Sequence, residues 1–262
     1  MRIRTSLPLA LAACATVACS SSAPTPAPAP ALTPVPTAAT EQQRTRDSLA
    51  MDALRNDWAG LRRYRAANAA LGAPAPGQNR VVFYGNSITD GWARYFPAMF
   101  PGKPYIGRGI SGQTTPQMLV RFRQDVVALQ PKVVVILAGT NDIAGNTGPS
   151  TLEMIEDNFM SMVQIAKAHH IHVVLSSVLP VYDYPWKPGL EPAPKIIALN
   201  AWMKRYASEV GETYLDYHSV MADSRGGLPP SLASDGVHPN DAGYRIMAPL
   251  ADAAIARALS QP

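Results

Sequence analysis

From residue 80 onward the chain alternates between two hydrophobic patterns. Short runs rich in β-branched residues stand at 80–85 (RVVFYG), 104–107 (PYIG), 132–138 (KVVVILA), 171–177 (IHVVLSS) and 213–217 (TYLDY). Each reads as a strand. The stretches 90–99, 114–129, 150–169, 194–209 and 241–259 have helical character, and Pro131, Pro149 and Pro194 mark boundaries between elements. Strands alternating with helices predict an α/β fold with five parallel strands and helices on both faces. In such a sheet, ligands bind beyond the carboxyl ends of the strands. The residues directly after the first three runs, Gly85-Asn86-Ser87, Gly109 to Gly112 and Gly139-Thr140-Asn141-Asp142, are small or polar, as a site requires.

Ahead of this region the pattern differs. Residues 41–71 are helix-like, with Leu54, Trp58 and Leu61 spaced i, i+4, i+7 among arginines at 55, 62, 63 and 65. The expectation is one amphipathic helix packed on the domain with a solvated basic face. Residues 20–40 contain a proline-alanine tract, which predicts an extended, semi-rigid spacer. Residues 1–19 carry Arg2 and Arg4, an apolar stretch and then small residues, the layout of a secretory signal peptide. Leu11-Ala12-Ala13-Cys14 resembles a bacterial lipobox, and Thr16-Val17-Ala18-Cys19 is a looser match. Lipidation of Cys14 or Cys19 would anchor the protein to a membrane surface. The implied location is outside the inner membrane of a bacterium: periplasmic, anchored or extracellular. Residues 41–262 form the expected domain.

Composition narrows the chemistry. The chain has 262 residues and two cysteines, both in the leader, so the folded part offers no disulfide scaffold, thiol nucleophile or zinc ribbon. Removing Arg2 and Arg4 with the leader lowers the formal net charge from +4 to +2, which does not ask for nucleic acid.

Residues 107–112, GRGISG, match the dinucleotide-binding glycine pattern literally. That reading fails on context: the loop follows the second strand, and the next strand ends Leu137-Ala138-Gly139 without the carboxylate a ribose needs. Asp125 lies near the required distance but inside a helical run. Ser87 is the better candidate, a serine in a tight strand-to-helix turn where substrate can reach it. Of five histidines, His169, His170 and His172 cluster at a helix-to-strand junction and His218 follows the last strand. His238 differs, because Asp235 three residues earlier can turn its carboxylate onto the imidazole and stabilise the imidazolium formed when the other nitrogen takes a serine proton.

Val82-Phe83-Tyr84-Gly85-Asn86-Ser87-Ile88-Thr89-Asp90, Arg108-Gly109-Ile110-Ser111-Gly112-Gln113-Thr114, Gly139-Thr140-Asn141-Asp142 and Asp235-Gly236-Val237-His238-Pro239-Asn240 together resemble the motifs of the GDSL or SGNH hydrolases. The pattern is most similar to the platelet-activating-factor acetylhydrolase and carbohydrate-esterase branches. The resemblance implies a three-layer α/β/α sandwich with a flavodoxin-like, mainly parallel five-stranded sheet. It also implies Ser87 as nucleophile, His238 as base and Asp235 as its orienting partner. The oxyanion would be held by the backbone N–H groups of Ser87 and Gly112 and the side-chain amide of Asn141. No metal and no cofactor is implied. One departure stands out: Asn86 occupies a position where the family usually has aspartate, so altered local hydrogen bonding is expected.

The expected activity is hydrolysis of short-chain acyl esters, with acetyl on a carbohydrate favoured, by an acyl-enzyme route. The partner is a small-molecule or carbohydrate ester. Alternatives are a lysophospholipase or thioesterase of the same family, or a non-catalytic surface binding protein. In the loop after the fourth strand, Tyr182, Tyr184 and Trp186 are candidate substrate contacts, since aromatic rings can stack on sugar faces or line an acyl pocket.

Overall fold

The computed structural model describes residues 38–261, so the leader with Cys14 and Cys19 and the spacer as far as residue 37 lie outside the described residues. By internal contacts the chain divides into Met1–Arg44 and Thr45–Pro262. The first unit contributes only the opening turns of a helix to the described residues, and the second holds the sheet and everything below.

Helices α1 (Ala38–Asn56) and α2 (Arg65–Leu71) precede β1 (Val81–Gly85). Next come α3 (Ser87–Ala93), α4 (Phe96–Met99) and β2 (Tyr105–Gly109), then α5 (Thr115–Asp125), a 3-10 turn (Val127–Leu129) and β3 (Val133–Leu137). Helices α6 (Thr140–Ala144) and α7 (Leu152–Ala168) lead to β4 (His172–Ser176), and α8 (Ala193–Val210) leads to β5 (Thr213–Leu215). Helices α9 (His218–Met221) and α10 (Asp241–Leu259) follow.

All five strands are parallel, in the order β2-β1-β3-β4-β5. Successive strand side chains point to opposite faces, so each strand feeds both cores. Val82, Tyr84, Val134 and Ile136 pack with Phe122, Phe159 and Leu199 from α5, α7 and α8. Val81, Phe83, Val133 and Val135 pack with Trp92, Phe96, Met247 and Ile255 from α3, α4 and α10. The result is the expected α/β/α sandwich. From β1 the chain steps to β2 on one side and returns to β3 on the other, which opens a crevice past the carboxyl ends of β1 and β3.

The single helix expected over residues 41–71 is two helices, because the main chain between them bonds elsewhere. The Asp57 carboxylate accepts from Leu61 N (2.7 Å) and Arg62 N (2.9 Å). Gln117 Nε2 donates to Trp58 O (2.7 Å), Gln113 Nε2 to Ala59 O (2.7 Å) and Gln124 Nε2 to Leu61 O (2.8 Å). Carbonyls that an uninterrupted helix would satisfy internally are thus taken by α5 and the loop before it. The turn 57–64 fastens this segment to the end of the sheet where the crevice opens.

Arg121, in α5, is fully buried with its ion-pair partner Asp125 at 3.1 Å. Its guanidinium also donates to Gly85 O (2.9 Å), Arg108 O (3.0 Å) and Gln113 Oε1 (2.5 Å), and lies 4.3 Å from the Tyr84 ring centroid. Asn68 Nδ2 supplies Asp125 with a further bond (2.7 Å). The carboxylate that could have passed for a ribose ligand is therefore the buried counter-ion of this arginine. Arg121→Ala strands Asp125 as an uncompensated buried charge and should lose about 3–5 kcal/mol of folding stability, read from urea denaturation. An unchanged midpoint would show that the pair does not carry this burden.

Candidate active site

Ser87 opens α3 immediately after β1, at the crevice. Asn86 caps that helix: its Oδ1 accepts from Ile88 N at 3.1 Å, while its buried Nδ2 finds no partner among the described residues. The departure from aspartate thus leaves a buried amide unsatisfied beside the serine, an arrangement that costs about 1–3 kcal/mol. Ser87 Oγ lies 2.8 Å from His238 Nε2, and His238 Nδ1 lies 2.7 Å from Asp235 Oδ2. The turn before α10 aims both side chains, because Asp235 Oδ1 accepts from Val237 N (3.0 Å) and His238 N (2.8 Å). Burial pushes the Asp235 carboxyl up, but the hydrogen bonds from His238 and Val237 and the nearby imidazole outweigh it, leaving the group below the usual carboxylate range. It is therefore an anion wherever the imidazole needs one.

The glycines of GRGISG separate into two duties. A Cβ at Gly109 would come 2.1 Å from Asp90 N and 2.7 Å from Asn86 O, so only glycine lets β2 end against the first turn of α3. Gly112 has φ of 78°, in the left-handed region that a side chain disfavours. Two bonds tie this loop to the serine turn: Ile110 N to Gly85 O (3.0 Å) and Ser111 Oγ to Asp90 Oδ2 (2.9 Å).

Asn141, in α6, donates one amide hydrogen to Gln113 O (2.9 Å), which leaves the other for a ligand. Asn146, unremarked in the sequence, braces this corner: its amide reaches Asn141 Oδ1 (3.0 Å) and Gly112 O (3.3 Å). Asp142 faces the opposite way. Its Oδ1 accepts from Thr115 N (2.8 Å) and Thr115 Oγ1 (2.6 Å), holding the start of α5.

The three aromatics after β4 divide as well. Tyr184 is fully buried, with its hydroxyl bonded to Thr140, so it supports the loop and does not face substrate as expected. Tyr182 is exposed and lies under the Arg225 guanidinium, 4.9 Å from its centroid. Trp186 alone reaches the histidine, with ring centroids 6.3 Å apart and 45% of its surface exposed. Its loop is latched by Lys187 Nζ donating to Ala144 O (2.7 Å) and Gly189 N donating to Asp183 Oδ2 (2.7 Å). His170 and His172 instead border a cavity of about 530 Å³ with Lys132 and Glu212, at the opposite end where β3 to β5 begin. Among the described residues no group of three or more His, Cys, Asp or Glu is placed to hold a metal ion.

A doubly wound parallel sheet with a serine, histidine and aspartate joined at its switch point defines an α/β protein built for reaction at the strand ends. Residues 83–246 match the model of the GDSL-like Lipase/Acylhydrolase family, and the chain belongs to that family. It is 46% identical to a GDSL-like lipase of Bacteroides thetaiotaomicron, with a TM-score of 0.74 covering 77% of this chain and 100% of that one. It is 29% identical over 221 residues to an acetylxylan esterase of Xylanibacter ruminicola, covering 70% of this chain but only 44% of that protein. With an acetylxylan esterase of Geobacillus stearothermophilus it shares 26% identity over 203 residues, 64% of this chain and 90% of that one.

Burial pushes the Asp142 carboxyl above its ordinary value, against the opposing bonds from Thr115. The native state therefore takes up this proton before the unfolded chain does. Relative to Asp142→Asn, the wild-type protein should gain stability as pH falls through the raised native value, and stop gaining below the unfolded value of about 3.9. Melting temperatures of both proteins between neutral and acid pH measure this, and a constant difference would refute it.

Proposed function

We propose that the protein is a serine esterase that removes short acyl groups, acetyl above all, from a carbohydrate. The observation that carries this reading is the continuous hydrogen-bond chain from Ser87 through His238 to Asp235. Ser87 Oγ attacks the ester carbonyl as His238 Nε2 takes its proton, and Asp235 stabilises the imidazolium. The tetrahedral oxyanion is received by the N–H groups of Ser87 and Gly112 and the free amide hydrogen of Asn141, each donor lowering the barrier by roughly 3–4 kcal/mol. Collapse breaks the ester C–O bond, and His238 returns the proton to the departing alcohol. A water, deprotonated by the same imidazole, then splits the acyl-enzyme and restores Ser87.

The leaving alcohol must lie at His238, from which it takes its proton, so the exposed face of Trp186 belongs to the leaving-group side. An indole there suits the C–H face of a sugar ring. Two relatives named acetylxylan esterases support a sugar as the leaving alcohol. We further propose that the protein is exported by its leader and held at a membrane surface through a lipid on Cys14 or Cys19, with the proline-alanine tract as spacer. No helix among the described residues is long and apolar enough to cross a membrane.

Ser87→Ala should lower kcat/KM for ethyl acetate at least about a thousandfold and abolish covalent labelling by a fluorophosphonate probe. Asp235→Asn should cost about 10⁴ in kcat while the protein stays folded by circular dichroism. Retained turnover in Ser87→Ala would sink the mechanism. For substrate choice, rates on p-nitrophenyl esters should be greatest for acetate and fall with acyl length; an optimum at eight or more carbons would overturn the short-acyl assignment.

A further inference from the structure

A cavity of about 360 Å³ adjoins the loop that carries Gly112, away from Trp186 and His238 in its lining. Its walls include Trp58 from the turn after α1, Ile110 and Gly112 from the loop after β2, and Asn146 and Thr147 from the segment after α6. The fold uses Trp58 through its main-chain oxygen, which Gln117 holds at 2.7 Å, and leaves the side chain 41% exposed. A large indole, about two-fifths exposed, thus lines the cavity beside the Gly112 loop.

We propose that this cavity is a saccharide subsite, receiving sugar units of the same chain that carries the ester; the assignment rests on the ester-hydrolase reading above. The lining favours a sugar over a long acyl chain. Trp58 and Ile110 are the only large apolar side chains in the wall, and the rest includes Asp57, Gln117, Asn146 and Thr147. Asp57, Gln117 and Thr147 already bond within the protein, and Asn146 Oδ1 is the acceptor from which a packed hydrocarbon would strip water without replacing its hydrogen bond. A sugar offers a C–H face to the indole and hydroxyls to the rim.

Asn146 is fixed for the second task. Its amide is committed to Asn141 Oδ1 (3.0 Å) and Gly112 O (3.3 Å), so its own Oδ1 is the atom left to accept from a hydroxyl. The cavity also shares Gly112 with the corner that receives the oxyanion, so a substrate reacting at Ser87 can extend into it. Trp186 then takes the sugar on the histidine side, and Trp58 takes one on the oxyanion-loop side. With one indole beside the Gly112 loop and the other beside His238, binding is expected to strengthen with oligosaccharide length.

The test is titration calorimetry of xylotetraose, which carries no ester and is not turned over, into the native protein, Trp58→Ala and Trp58→Phe. The expected result is measurable binding to the native protein, about tenfold weaker in Trp58→Ala and largely restored in Trp58→Phe. Ethyl acetate turnover should be equal in all three, since the segment is held through main-chain groups, Trp58 O among them, that the substitutions keep. Absence of binding to the native protein, or equal affinity in Trp58→Ala, would overturn the subsite. A parallel loss of ethyl acetate turnover would make Trp58 a scaffold residue, and a selective loss on octanoyl esters would make the cavity an acyl pocket; either result overturns the proposal. Failure of the ester-hydrolase reading appears separately, as Ser87→Ala turnover, and leaves the xylotetraose measurement standing on its own.

Discussion

The Arg121 guanidinium, sealed between β1, β2 and the loop after β2, is the contact on which the reactive end of the molecule depends. It bonds the carbonyl of Gly85, two residues before Ser87, and the carbonyl of Arg108, at the end of the strand that leads to Gly112. Through Gln113 Oε1 it also fixes the loop whose main-chain oxygen orients Asn141. The Ser87 turn and the Gly112 loop thus share one rigid, fully buried donor fork. A planar guanidinium can satisfy several acceptors in fixed directions at once, which a lysine ammonium on a flexible stem does less well. The cost of burying that charge is met by Asp125, Tyr84 and the carbonyls together, so removing any one partner leaves the others under strain.

The same network accounts for the N-terminal segment. Gln113, Gln117 and Gln124 reach outward from the loop and helix around Arg121 to hold the main chain at Ala59, Trp58 and Leu61. Tyr64 donates its hydroxyl to Gly109 O, and Asn68 accepts from Arg108 Nε (2.7 Å). A stretch that reads as an appended helix is in fact a brace across the strand ends. Its arginines at 55, 62, 63 and 65 are exposed as expected, and Arg63 also lies over the Tyr64 ring at 4.8 Å and within 3.6 Å of Asp90. Rigidity on this side is what the proposed oxyanion donors require, because such donors act through being in place before charge develops.

How far the molecule was legible follows the range of each interaction. All five strands fall within about two residues of the runs that predicted them; for the central β1 and β3, burial on both faces demands continuous apolar, β-branched sequence, while the edge strand β2 is only partly buried. The long helices α7, α8 and α10 were equally plain. Helix 90–99 divides at Arg94–Tyr95 into α3 and α4, and 114–129 ends as α5 at Asp125, with a 3-10 turn beyond it. Helices α6 and α9, of five and four residues, are too short for any periodicity to register. Pro249 sits inside α10 without ending it.

Ser87, Asp235 and His238 could be read directly, because a strand-to-helix turn and a three-residue carboxylate-to-imidazole spacing are local features of the chain. The sequence by itself therefore determined the sheet, the family and the serine, histidine and aspartate that meet in the crevice. Tertiary structure alone decided which groups support them. Arg121 looks like any helix arginine until Gly85, 36 residues away, and Arg108, 13 residues away, converge on it. Asn146 gains its place only when the loops after β2 and α6 meet, and Tyr184 and Trp186, two residues apart, take opposite roles because one ring is buried and the other faces His238. Local pattern encodes what a backbone segment becomes and what its side chains can do. Which side chains are dehydrated, and against what, is set by packing between distant segments.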